Sequence, residues 1–344
     1  MPVNSHFIPQ LLLRGFAFRH HGEESYVHVF RKGSIPFEAN TRNVAAQRNF
    51  YGDEKIEGIL SSWEGQFAKL ISKLRQAQCT PDDKPLIDRF VAHSLVRTRR
   101  FRDGVHTIGK TAMERMFQEF LKPDLTPRLF AKLASNIMNE PQIKGILAQV
   151  APEKRPHLQM VMQQRLEHPD MHEVLRRMIL QTLPTIDTAS SVQSAQRQVL
   201  EHDKHLDKRT HDLERINWKV EMYLPNTLVL GDIGPLVKGE GSSQWGNIFG
   251  GTPEIVWFPL SHNCLLSGQP NSGNDNVSAE EVNLLSVESS CELFVASQLT
   301  IREEEYQTHL GSRVPDLSEE DLSELNRTVR DYLMNPGGTL TTED

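Results

Sequence analysis

The spacing of apolar residues changes period along the chain. The opening run His6-Phe7-Ile8-Pro9-Gln10-Leu11-Leu12-Leu13-Arg14-Gly15-Phe16 sets an imidazole, an amide and a guanidinium around a leucine triplet. Tyr26-Val27-His28-Val29-Phe30 then alternates as a half-buried strand does, a turn is expected at Gly33, and Ile35 to Phe37 are placed to pair back. From Asp53 the period lengthens. Ile56, Leu60, Trp63, Phe67, Leu70 and Leu74 recur every three or four residues, the stripe of an amphipathic helix. Pro81-Asp82-Asp83 open a second helix with acids at its positive end, and Leu86, Phe90, Ser94, Arg97 and Phe101 follow at helical spacing. Residues 105–217 read as further helices bounded by Pro127, Pro141, Pro152, Pro169 and Pro184, with stripes at Met113 to Phe120, Leu129 to Met138, Ile143 to Val150, Leu158 to Leu166 and Val174 to Leu183. The polar stretch Ser190 to Arg215 reads as an exposed helix returning the chain to a sheet.

Strand character resumes at Trp218-Lys219-Val220-Glu221-Met222 and at Leu228-Val229-Leu230, and a glycine-rich loop spans 231–251. Ile255 to Ser261 is a third strand broken by Pro259, with Asn263 to Leu266 turning back beside it. A helix is predicted from Ala279 to Leu299, with Val282, Leu285, Cys291, Leu293 and Phe294 on its buried side. Ser318 and Asp321 form a capping box for one last surface helix in an acidic end. Strands at both ends around a helical middle give an α+β class: a small mixed or antiparallel sheet formed by N- and C-terminal segments, with a large helical middle section. The expected organisation is a single α+β domain over 5–310, with a helical insertion at approximately 105–217 and an acidic tail at 311–344.

Composition narrows the function classes. With 344 residues the chain can bury a full core, and 45 acidic against 38 basic residues give a net charge of −7. That balance argues against undirected binding of nucleic acid over the whole surface, leaving the basic row Arg89, His93, Arg97 and Arg100 as a local strip. Cys79, Cys264 and Cys291 form no Cys-x-x-Cys pair, which fits reduced thiols and the cytoplasm. No leader and no apolar run of bilayer length is seen, so no membrane partner is expected.

Several polar sets carry candidate chemistry. His6, Gln10 and Arg14 are four apart each and share a face if helical, suited either to binding an anion or to tying the segment down by hydrogen bonds. Glu64 lies at the edge of its apolar stripe and Arg97 points toward the core of the next helix, so with Asp232 they make either a converging metal site or a buried Glu64–Arg97 ion pair. The glycine-rich loop lacks Gly-Lys-Ser/Thr and reads as a hairpin loop more readily than as a phosphate cradle. Asp203, Asp207 and His211 have metal-compatible spacing in a stretch that otherwise reads as a solvated face.

The order of these features resembles an uncharacterised, largely bacterial family, the domain-of-unknown-function family 4238. The resemblance rests on His6, Phe7, Ile8, Pro9, Gln10, Leu13, Arg14 and Phe16, then Asn43, Phe50-Tyr51, Glu64, Arg97-Thr98, Asp232 and Pro259-Leu260-Ser261. Two departures stand out. The family turn Ser-Asp-x-Pro is here Gly231-Asp232-Ile233-Gly234-Pro235, and Arg99 follows Thr98 where the family often has proline. The resemblance implies no reaction. The leading expectation is a cytoplasmic protein that binds an anionic or nucleic-acid ligand and hydrolyses phosphodiesters with a divalent metal. His6, Glu64 and Asp232 would ligate the metal or move protons, and Gln10, Arg14, Arg97 and Arg100 would hold the anion. The alternative is a non-catalytic sensor or protein-interaction module in which the polar cluster is structural.

Overall fold

The computed structural model describes residues 4–51, 54–104, 141–166, 203–240, 252–271 and 277–313, with single positions between these spans. The chain divides into two compact units, one built from 1–106 and 189–316, the other from 107–188 and 317–344. Among the described residues no helix is long and apolar enough to cross a membrane.

The first unit is α+β. Strand β1 (Asn4–His6) pairs antiparallel with β5 (Ala46–Arg48), and Pro9 starts the short helix α1 (Gln10–Leu13), which tightens into a single turn at Arg14–Phe16. The condition under which His6, Gln10 and Arg14 would share one helical face is therefore not met, because Pro9 separates β1 from α1. Strands β2 (Arg19–His21), β3 (Glu24–Arg31) and β4 (Phe37–Asn40) follow, with the predicted alternation in β3 and the predicted return by β4. Helices α2 (Glu54–Leu74) and α3 (Lys84–Arg97) then pack as a hairpin.

In the second unit, α4 (Pro141–Ala148) and α5 (Arg155–Leu166) flank a turn begun by Pro152. Arg155 donates to Val150 O and Ala148 O at 2.8 Å each, occupying carbonyls at the end of α4. The helices expected around Met113 to Phe120 and Leu129 to Met138, most of Val174 to Leu183, the Ser318–Asp321 box and positions 241–244 and 246–251 of the glycine-rich loop lie outside the described residues.

The chain re-enters the first unit through α6 (Asp203–Asp212), which packs on α3. This segment is less exposed than its composition suggests, since Leu200, Leu206 and Leu213 are buried. The remaining elements are β6 (Asn217–Met222), β7 (Leu230–Gly231), β8 (Leu236–Gly239), β9 (Pro253–Ser261), β10 (Cys264–Gln269), α7 (Ala279–Glu288), β11 (Leu293–Ala296) and α8 (Ile301–Thr308). They build a four-stranded sheet in the order β6-β10-β9-β8 and complete another, β2-β3-β11-β7, with β4 on the free side of β3. N- and C-terminal strands thus share a sheet, as expected.

Three local expectations change. The helix from Ala279 stops at Glu288, and Leu293–Ala296 is a strand buried on both faces between β3 and β7. A four-residue apolar run serves a central strand as well as a helix face, and only its neighbours decide. The glycine-rich loop contains β8. Strand β9 also runs intact through Pro259, because β8 reaches only to Trp257 and the register against β10 shifts between Cys264 and Leu265, beside Pro259.

One core cluster gathers Phe16, Phe50, Phe90 and Phe258, and a second lies under α7 and α8 around Phe30 and Phe294, whose rings stack at 4.6 Å. The N-terminal segment is joined to β9 through Arg75, which donates to Leu260 O (2.6 Å), Leu11 O (3.0 Å) and Leu12 O (3.3 Å). Burial lowers the Arg75 pKa to about 10. Gly15 permits this approach, since a Cβ there would fall 2.3 Å from Arg75 Nη2 and 2.5 Å from Leu260 O.

Candidate functional site

The polar motif residues meet at the C-terminal end of α3. That helix ends at Arg97 because Thr98 turns extended (φ −67, ψ 155), and the Thr98 hydroxyl then accepts the Phe101 N–H at 3.1 Å to start the helical stretch 99–104. Position 99 is therefore a first helical position, where proline is tolerated; Arg99 here instead pairs with Glu292. Arg97 is placed where a cation is favoured by the helix dipole. Its Nη1 meets Glu64 Oε1 at 2.7 Å and its Nη2 donates to His6 O at 3.0 Å. The buried Tyr51 hydroxyl donates to Arg97 O (3.2 Å) and lies 3.4 Å from His6 O. Burial works against the Arg97 charge, but Tyr51 and Glu64 outweigh it and hold the pKa above its ordinary value.

His6 and Gln10 converge on Thr41. His6 Nε2 lies 3.2 Å from Thr41 O and Gln10 Nε2 donates to Thr41 Oγ1 at 3.1 Å. A carbonyl only accepts, so His6 carries its proton on Nε2 and its lone pair on Nδ1. Burial, and to a lesser degree Arg97, lower its pKa and favour the neutral ring. Arg14 is exposed on the turn after α1 and joins none of these contacts.

Between α2 and α3 lies His93, 1% exposed, 5.0 Å from the Trp63 ring and 5.5 Å from that of Phe67. Among the described residues neither of its ring nitrogens has a hydrogen-bond partner. Burial, with Arg97 and Arg89 nearby, pushes its pKa down to about 3.

Asp232 belongs to a different cluster. Its carboxylate accepts the backbone N–H of Cys291 (2.7 Å), Glu292 (2.8 Å) and Leu293 (3.2 Å), fixing the strand β11 to the turn 231–234. Desolvation nevertheless outweighs these bonds and raises its pKa to about 6. The turn packs on the end of α3, where Gly234 (φ +72) brings its backbone close enough that a Cβ would lie 3.2 Å from Thr98 Cγ2. Arg100 lies on this side, near Cys291.

His6, Glu64 and Arg97 thus come together, while Asp232 and Arg100 sit with Cys291 and Arg14 with neither. The donors fit a resident divalent ion poorly, since Glu64 is engaged by Arg97 and Asp232 by three amides. Among the described residues no group of three His, Cys, Asp or Glu side chains is placed to hold a metal. In the row with metal-compatible spacing on α6, Asp207 pairs with Arg89 and His211 with Glu214; the side chain of Asp203 lies outside the described residues.

Sequence reasoning missed a cleft of about 450 Å³. Residues directly opposed in antiparallel strands point to one face, and Val29 opposes Phe37 while Arg31 opposes Leu293. With Ala39, two residues on from Phe37, these form the cleft floor, and Asn43 and Val44 close it from the turn Thr41–Asn43. That turn is the one held by His6 and Gln10, and Phe7 N–H adds a bond to Ala45 O at 2.9 Å. The opening motif therefore fixes a wall of the cleft. A sequence signal existed in Asn43, an isolated motif residue with no core role.

Neither curated proteins nor solved structures provide a match. The family described as Protein of unknown function (DUF4238) matches residues 4–331, nearly the whole chain, and the chain belongs to that family.

Proposed function

We propose that the chain is a non-catalytic recognition protein that takes a small ligand in the cleft between β3, β4, β11 and the Thr41–Asn43 turn, with the motif residues as its scaffold. The observation that carries this reading is where the polar motif atoms go: Arg97 to Glu64 and His6 O, His6 and Gln10 to Thr41, Asp232 to three backbone amides. Groups engaged in this way position backbone, and what they position includes the cleft wall. The volume falls within the ~300–1,000 Å³ usual for small-molecule sites. With free thiols at Cys79, Cys264 and Cys291 we assign the protein to the cytoplasm.

A small-fragment set monitored by amide chemical shifts of the full chain tests the reading. Shifts at Val29, Ala39 and Asn43 are expected, and Val44→Trp, which fills the cleft, should abolish them. If no fragment moves these amides, the proposal falls.

One observation keeps a second reading in view. Burial favours the neutral His6 ring, whose Nδ1 then carries the lone pair, and Glu64 is 30% exposed with one oxygen paired, an arrangement compatible with proton transfer. Phosphodiesterase and nuclease assays with Mg²⁺ or Mn²⁺, comparing wild type with Glu64→Gln, separate the two. Recognition without chemistry predicts no turnover in either protein; turnover in wild type that Glu64→Gln removes would favour catalysis.

A further inference from the structure

Resting on the recognition reading, we infer that the cleft selects a singly charged carboxylate on an apolar body, with Arg31 as the residue that reads the charge. The body follows from the floor. Val29, Val44 and Leu293 are each no more than 3% exposed, and Phe37 stands half open at the margin with 43% of its surface exposed. An apolar group laid there removes Phe37 from water.

The charge follows from Arg31. Strand pairing with Leu293 puts it on the cleft face, at one end of the apolar floor. Among the described residues its guanidinium has a single partner, Glu292, reached through Nε at 3.5 Å, beyond hydrogen-bond length. The other oxygen of Glu292 is taken by Arg99. One carboxylate is thus shared between two guanidiniums, and the Nη fork of Arg31 is unspent. A planar fork accepts a carboxylate through two parallel hydrogen bonds. Asn43, across the cleft, makes no side-chain hydrogen bond among the described residues and adds an amide donor for the same group. Glu38 also lines the cleft, but its register opposite His28 turns it to the other sheet face, where Arg19 holds it at 3.2 Å. One unspent guanidinium matches one negative charge, and in a chain of net charge −7 it does not suit a polyanion.

The test compares isosteric acids and amides on the full chain by calorimetry: octanoate against octanamide, and phenylacetate against phenylacetamide. The acids are expected to bind about tenfold or more tighter than the amides, equivalent to ~1.4 kcal/mol or more. Arg31→Gln should bring each pair to within about twofold, with Arg31→Lys in between because it keeps charge but loses the fork. Phe37→Ala should weaken acid and amide alike. Melting temperatures of the Arg31 variants, expected to match wild type, guard against misfolding. Equal affinity of acid and amide overturns the inference, as does an acid preference that survives Arg31→Gln, or absence of binding by both acids. If fragments of other chemistry still shift the cleft amides, the carboxylate assignment alone fails; if none does, the recognition reading fails with it.

Discussion

Replacing Glu64 with leucine removes the carboxylate from a guanidinium whose side chain is only 4% exposed, whereas replacing Arg97 with methionine leaves a carboxylate that is 30% exposed. The two ends of the pair should therefore cost different amounts. An uncompensated buried charge costs ~3–5 kcal/mol, so Glu64→Leu belongs in that range. Water reaches Glu64, so Arg97→Met should cost about 1–3 kcal/mol, mostly from the lost bond to His6 O and altered packing. The double variant restores an apolar seam and keeps the Tyr51 hydroxyl near His6 O, so it should be more stable than Glu64→Leu alone, with a coupling of about 2 kcal/mol or more. At ~2–4 °C per kcal/mol, Glu64→Leu should melt roughly 6–20 °C below wild type. Thermal and urea unfolding of the four proteins, followed by near-ultraviolet dichroism, measure the cycle. If Arg97→Met is the costlier single change, or if the two effects simply add, the pair does not serve to neutralise a buried cation and the structural reading of the motif loses its basis.

Two pH predictions follow from the other buried groups, and they have opposite signs. Burial raises the Asp232 pKa from 3.8 to about 6, so this group's stabilising contribution is present below pH 4 and is lost as pH rises through 6, about 3 kcal/mol at 1.36 kcal/mol per unit. The stability of wild type relative to Asp232→Asn, from urea midpoints, should accordingly decline between pH 4 and 7; a constant difference would refute the assignment. His93, with its pKa lowered from 6.5 to about 3, destabilises the fold as pH falls below 6.5, because the unfolded ring takes a proton that the native one refuses. His93→Phe should remove this acid sensitivity, and since neither ring nitrogen is partnered it should cost little at neutral pH. An unchanged acid transition in His93→Phe would count against it.

Periodic patterns were legible where one face of an element decides its burial. The stripe from Ile56 to Leu74 gave α2, and the alternation from Tyr26 to Phe30 gave β3. Patterns failed where the neighbours decide. Leu293-Phe294-Val295-Ala296 is buried on both faces and carries no period, so its identity as a strand depends on β3 and β7, which are remote in sequence. Leu200, Leu206 and Leu213 are sparse enough in polar surroundings to suggest an exposed helix, yet all three join the core and α6 packs on α3. Pro259 breaks a strand only where a neighbour needs its N–H, and here β8 has already ended while the register against β10 shifts beside it.

The candidate site shows the same limit in chemical form. That Glu64 and Arg97 face each other could be anticipated, because a carboxylate on one apolar stripe and a guanidinium on the next must be paired if both are to be buried. Asp232 could not be placed by such reasoning: its partners are backbone amides of residues 291–293, and every residue type supplies those. A carboxylate bound by backbone reads in sequence like one reserved for catalysis. The cleft was invisible for a related reason, since its floor is ordinary strand residues and its shape comes from the turn laid over them. His6 and Gln10 matter to that shape through Thr41, a residue that the motif does not mark. The chemistry-bearing types in the opening segment are better explained as fasteners of a wall than as reactants. On the proposed recognition reading, contacts to a ligand fall to Arg31 and Phe37, residues that no motif singled out.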